Sequence, residues 1–127
     1  MYLIDTNVLI WVLRGQPEYV RWFKSIDQLP VYLSTITVAE IYKNVLPGEL
    51  VQTEDVLNGF SILDVTMPIA KQAGLYWQQF SKKYKNLHIL DCVIAATAKK
   101  HDLKLVTLNI RHFPMSDIVL YKGKLTA

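Results

Sequence analysis

Three features of the sequence predict an α/β fold with three layers, a mostly parallel sheet of four to five strands flanked by helices. Short apolar runs alternate with longer stretches of helical period, the rhythm of strand, helix and returning parallel strand. Four polar residues, Asp5, Glu40, Asp91 and Asn109, fall where a strand gives way to a helix or turn. The chain has 127 residues and is 51% hydrophobic, which suits one compact domain spanning residues 1–127 with a substantial core.

The elements follow in order. Tyr2 to Ile4 is an apolar strand, and Asn7 to Leu13 a helix that stops at Gly15. Pro17 opens a second helix reaching about Asp27, and Val31 to Leu33 is the next strand. A third helix is expected from Thr37 to Val45, ended by Pro47-Gly48, and a short one over Glu54 to Asn58. After a strand at Ile62 to Val65, Met67 to about Tyr84 reads as a long amphipathic helix with Ile69, Ala73, Tyr76, Trp77 and Phe80 on its core stripe. The helix from Leu90 to Lys100 is apolar nearly all round, which places it between the sheet and other helices. Strands at Leu105 to Leu108 and Ile118 to Tyr121 complete the pattern.

Composition narrows the chemistry. The single cysteine, Cys92, cannot form an internal disulfide, and a reducing, cytoplasmic setting is expected. The chain opens directly into a strand without a cationic leader, and no apolar stretch approaches the roughly 18 residues that a membrane crossing needs. Net charge is only +3, yet Lys82, Lys83, Lys85, Lys99, Lys100, Lys104 and Arg111 fall close together in sequence. Such a cluster suits a phosphate backbone, or simply decorates two solvated helix ends.

Each polar junction residue has an ordinary structural explanation. Asp5 fits a helix N-cap, Thr37-Val-Ala-Glu40 has capping-box spacing, Asp91 suits the first turn of its helix, and Asn109 suits a turn. Together they mean more. In a parallel α/β sheet the strand-to-helix junctions share one edge, so these residues converge where such folds bind ligands. Carboxylates brought close must shift their pKa values, take a basic partner or bind a cation. Magnesium, a hard ion content with one or two carboxylates plus water and phosphate oxygens, is the economical answer. His88, His101 and His112 are scattered in sequence and offer no zinc spacing. There is no glycine-rich phosphate loop and no G-x-S-x-G elbow, and a thiol beside Asp91 has its pKa pushed up, away from nucleophilic use.

Four blocks in the same order, Asp5-Thr6-Asn7-Val8-Leu9-Ile10, TVAEI at Thr37 to Ile41, LDCVIAATA at Leu90 to Ala98 and LVTLNIRHF at Leu105 to Phe113, resemble the PIN-domain ribonucleases. Among these they look most like the VapC toxins of toxin–antitoxin pairs. The resemblance implies a PIN-like fold, an acidic triad of Asp5, Glu40 and Asp91 that binds Mg2+ or Mn2+, and supporting roles for Thr6, Asn7 and Thr107. Asn109 stands where the family places a fourth, often acidic, residue; being neutral, it implies one resident ion and a weaker second site. The segment from Asn44 to Asp55 is shorter than the helical hairpin of many relatives, which implies altered partner binding.

The implied activity is metal-assisted hydrolysis of RNA, leaving a 5′-phosphate and a 3′-OH, with Lys82, Lys85 and Arg111 as candidate RNA contacts. A structured RNA such as tRNA or rRNA, a VapB-like antitoxin that inserts a cation among the carboxylates, and a second copy in a homodimer are the expected partners. Three other readings stay open: a PIN nuclease of RNA processing without an antitoxin, a non-catalytic PIN module that binds RNA or protein, and a receiver-like phosphoacceptor using Asp5. The last lacks a second acid in Met1 to Ile4.

Overall fold

The computed structural model describes residues 1–26 and 28–125. Its elements are β1 (Tyr2–Ile4), α1 (Thr6–Leu13), α2 (Pro17–Ile26), β2 (Val31–Ser34), α3 (Thr35–Asn44), α4 (Leu50–Leu57), β3 (Ser61–Leu63), α5 (Met67–Phe80), α6 (Ile89–His101), β4 (Lys104–Val106) and β5 (Val119–Leu120). Single 3-10 turns at Pro47–Glu49 and Ile110–His112 punctuate the chain.

The five strands pair in the order β3-β2-β1-β4-β5, and every pair is parallel. β1 is central, with β2 on one side and β4 on the other, so the chain winds outward both ways from it. A crevice at such a reversal is where ligands bind in open α/β sheets. Alternation along the strands splits the core in two. Leu3 and Leu105 pack with Ile69, Tyr76, Ile94 and Ala95 of α5 and α6, while Ile4, Leu33 and Val106 pack with Val8, Trp22, Ile41 and Leu57 of α1 to α4. These are the three layers expected from the sequence.

Local chemistry sets the boundaries. Gly15, at φ 72°, takes the left-handed turn after α1, and Asp102, at φ 52°, does the same after α6. The expected end of α2 at Asp27 lies outside the described residues; the helix is described to Ile26. α3 begins at Thr35, because Ser34 leaves β2 extended and its hydroxyl accepts the amide of Ile36 at 3.1 Å. The capping box expected from Thr37 and Glu40 therefore does not form. α4 starts at Leu50, earlier than expected, since Pro47 nucleates a turn that runs straight into it. α5 ends at Phe80 and gives way to a turn through residues 81–83, and Trp77 lies at the margin of the stripe, 47% exposed. β4 stops at Val106, which leaves Thr107 and Leu108 beyond the strand and free to turn into the crevice.

Candidate active site

The register of the sheet places Asp5. Ile4 lies opposite Val106, and the amide of Asp5 bonds the carbonyl of Val106 at 2.9 Å, so Asp5 and Thr107 leave adjacent strands side by side. Asp5 is the N-cap of α1: its Oδ1 accepts the Thr6 amide at 2.8 Å, and its Oδ2 accepts the Thr107 hydroxyl at 2.8 Å. The Asn109 amide donates to that hydroxyl oxygen at 3.0 Å, and the Leu108 amide donates to Asn7 Oδ1 at 3.2 Å. Thr6, Asn7 and Thr107, expected as supporting residues, thus form the frame around this carboxylate.

Glu40 arrives from α3. It sits inside that helix instead of capping it, and its Oε1 accepts the Thr6 hydroxyl at 2.7 Å. The hydroxyls of Thr6 and Thr37 meet at 3.2 Å, with Thr37 fully buried. Thr6 therefore touches both acids, its backbone on Asp5 and its side chain on Glu40. Thr37 belongs to this network, a role that its expected use as a cap concealed.

Asp91 lies in the first turn of α6, where its Oδ2 accepts the His88 amide at 3.2 Å. The same oxygen is 3.3 Å from Nδ1 of His112. His88 and His112, far apart in sequence, meet edge to face with centroids 6.4 Å apart. Their description as scattered holds for the sequence and fails in the fold, because the 3-10 turn after β4 carries His112 back over the start of α6. Asn109 is exposed at the head of that turn, and its side chain makes no capping bond.

Burial is the main force on Asp5, raising its pKa from the ordinary 3.8 to about 6. The bonds from Thr107 and Thr6 oppose that rise, while the charges of Asp91 and Glu40 add to it. Acids distant in sequence therefore share one electrostatic field. Among the described residues, neither Asp5 nor Glu40 has an ion-pair partner. Among those residues no group of three or more His, Cys, Asp or Glu side chains is gathered closely enough to hold a metal ion by itself. Oxygen donors with unbalanced negative charge and incomplete enclosure suit magnesium, which keeps waters and shares its carboxylates with phosphate. Burial, then Asp91, pushes the Cys92 thiol up to about 11, which removes it as a nucleophile.

The basic cluster divides. Arg111 lies in the turn after β4, next to His112, while Lys82 and Lys85 lie in the segment between α5 and α6. Lys99, Lys100 and Lys104 flank the amino end of β4, at the sheet edge opposite Asp5, and Lys99 is bound to Asp117 at 2.7 Å. Two cavities flank the acids. One, of about 410 Å³, lies between α1, α3 and α4, and its lining includes Ile10, Leu13, Ile41, Arg14, Glu40 and Glu49. The other, of about 290 Å³, is bordered by Thr107, Tyr19, Tyr121 and Lys122.

Comparison with known proteins bears on this arrangement. The PIN domain model matches residues 2–115. The chain is 34% identical over 116 residues to Ribonuclease VapC10 of Mycobacterium tuberculosis, covering 91% of this chain and 87% of that protein. Toxin FitB of Neisseria gonorrhoeae is 36% identical over 137 residues, covering 95% and 96%. The fold superimposes with a TM-score of 0.80 on a chain from DNA-bound VapBC of Salmonella typhimurium, 26% identical, covering 94% and 96%. No helix among the described residues is long and apolar enough to cross a membrane.

Proposed function

The chain belongs to the PIN-domain family, and on that premise we propose that it is a magnesium-dependent ribonuclease toxin that hydrolyses RNA phosphodiester bonds. The observation that carries this reading is Asp5: a buried carboxylate, framed by a hydroxyl and an amide, in the field of two further acids and with no ion-pair partner of its own among the described residues. Naming of the relatives as ribonuclease and toxin supports it.

Asp5 and Asp91 would hold the ion, with Mn2+ able to substitute, and Glu40 would orient a water. When bound, the ion supplies the positive charge that steadies the carboxylates and the attacked phosphate, and it acidifies water near neutral pH. Thr107 and Thr6 keep both oxygens of Asp5 directed by donating to them, as supporting partners do around metal ligands. Glu40, fixed by the Thr6 hydroxyl, would orient the attacking water and take its proton, and the departing 3′ oxygen would take a proton from solvent. Lys82, Lys85 and Arg111 would receive the flanking phosphates. Because water attacks and the 2′-OH does not, the products carry a 5′-phosphate and a 3′-OH.

A cognate antitoxin is part of the proposal, since the structural relative is a VapBC complex. The larger cavity suits such a partner: it joins apolar Ile10, Leu13, Ile41 and exposed Leu46 to Glu40 and Glu49, with Arg14 as its one cation. A segment with apolar anchors and one cation would fill it and neutralise Glu40. A second copy of the chain would use the exposed Met67, Leu75 and Trp77 of α5. The setting is the cytoplasm, where structured RNAs such as tRNA and rRNA are found.

The test is cleavage of total cellular RNA by purified protein with magnesium, with chelator, and with Asp91→Asn, followed by sequencing of the new ends. Magnesium-dependent cuts with 5′-phosphates, absent from the other two reactions, are expected. Cutting that survives both chelation and the substitution would overturn the proposal.

A further inference from the structure

We propose that the cavity bordered by Tyr19, Thr107, Ile110, Tyr121 and Lys122 is a base-recognition slot that receives one nucleobase beside the scissile phosphate. This rests on the ribonuclease reading above and adds where the substrate sits and what selects the cut. Thr107 is the first argument. The residue that donates to Asp5 at 2.8 Å also lines this cavity, so a group in the slot is one side chain away from the acids.

Size and chemistry come next. At about 290 Å³ the cavity stands at the lower limit of small-molecule sites, which range from roughly 300 to 1,000 Å³. It has room for a single ring system, not for a helix or a duplex. Its rim offers two tyrosine rings and the exposed Lys122 ammonium, and among the described residues no acidic one lines it. Aromatic faces with a nearby cation are how proteins receive unstacked bases and the phosphate between them. The larger cavity is lined by Glu40 and Glu49 against one cation, Arg14, so its net charge is negative and disfavours the same polyanion. The two flanks of the acidic site are thus of opposite character, and charge assigns the RNA to the Thr107 side.

The rings of the slot are already fixed. Tyr121 meets Trp22 edge on at 5.8 Å and Tyr2 at 5.5 Å, and its hydroxyl accepts the Trp22 indole N–H at 3.3 Å. Tyr19 stacks on Trp11 at 6.0 Å, and the Arg14 guanidinium lies 5.7 Å from the Trp11 ring. Gly123 keeps the mouth open beside Tyr121, because a Cβ there would collide with that ring. A base entering such a preset site loses little to reordering of the protein.

The experiment uses the full chain with Tyr19→Leu and Lys122→Gln, the second at an exposed position that folding does not need. For a short RNA carrying a mapped cut site, each variant should raise KM, Tyr19→Leu by about tenfold, with kcat within about twofold. Sequencing of cleaved ends should show a weaker base preference on one side of the cut. In parallel, the Trp22 indole N–H signal is followed by NMR as adenosine or uridine 5′-monophosphate is added at millimolar concentration. It should shift saturably with the nucleotides and not with inorganic phosphate. Unchanged KM and base preference in both variants would overturn the slot, as would an equal response to phosphate alone. A chain that cuts no RNA yet shows the nucleotide-specific shift would retain the slot and refute the nuclease reading.

Discussion

Asp5 and Asp91 are two aspartates that begin helices at one edge of the same sheet, yet the fold treats them in opposite ways. Asp5 is 7% exposed, framed by Thr6 and Thr107, and carries a pKa raised to about 6 by burial. Asp91 stands at the rim, bonded by the His88 amide and close to His112. The first is held where a charge is costly, and the second where water and a titratable ring can relieve it. A buried carboxylate that opposes folding is tolerated when it serves a ligand. On the proposed reading Asp5 is the anchor of the site, and Asp91 its adjustable arm.

The largest effects break both halves of the comparison. Asp5→Asn and Asp91→Asn should each lower cleavage by at least the roughly 10–100-fold seen when only the supports of metal ligands are lost. Initial rates on a labelled RNA at saturating magnesium measure this. A variant at either position that cuts at the wild-type rate would remove that residue from the site.

Supporting residues come next. Thr107→Ala removes the hydroxyl that lowers the Asp5 pKa, so cleavage should fall about tenfold to a hundredfold and its pH profile should move upward. Thr107→Ser restores the donor and should restore both. Failure of the serine variant to rescue would mean that Thr107 acts by packing and not by its bond to Asp5.

Stability separates the two aspartates most cleanly. Because the folded-state pKa of Asp5 exceeds its ordinary 3.8, the folded state binds more protons between about pH 4 and pH 6. Its contribution to stability is accordingly greatest below pH 4, falls as pH rises through that window, and levels off above pH 6. The cost at neutral pH is about 3 kcal/mol. Asp5→Asn removes it while disturbing one hydrogen bond worth about 1 kcal/mol, so the variant should be about 2 kcal/mol more stable than wild type at pH 7.5 and no more stable at pH 4. Asp91→Asn should change stability by less than about 1 kcal/mol at either pH. Urea titrations at the two pH values measure both. Magnesium should stabilise the wild type at pH 7.5 and leave Asp5→Asn unaffected.

How much of this was legible in the sequence follows the same division. The sheet and its layers were legible because strand, helix and turn signals are local, as at Tyr2–Ile4 and Gly15. Convergence of Asp5, Glu40, Asp91 and Asn109 at one edge was expected from topology, whereas Thr6, Asn7 and Thr107 entered through the family resemblance. Glu40 misled, since TVAE has the spacing of a cap; the hydroxyl of Ser34 was the competing signal, and it placed the helix start two residues before Thr37 and turned Glu40 inward to Thr6. His112 was invisible because its meeting with Asp91 depends on the path of a single 3-10 turn. Tyr19 and Lys122 were equally hidden, since α2 and the segment after β5 meet only through the second core layer.

The smallest expected effect concerns Asn109, the neutral residue at the head of the turn that carries His112. Its amide is committed to Thr107, but its exposed side chain has no capping bond, so that side chain is free to change without altering the frame around Asp5. Asn109→Asp adds a negative charge near a site already rich in acids. Without metal, that charge should raise the Asp5 pKa slightly through repulsion. With metal, it should lower the magnesium concentration needed for half-maximal cleavage by a few fold, since an added anion favours the cation more than it harms a screened neighbour. A magnesium titration of both proteins at fixed ionic strength measures the shift. If the half-maximal concentration does not move, the turn after β4 lies outside the reach of the ion, and the site reduces to the anchor at Asp5, the arm at Asp91 and the oriented carboxylate of Glu40.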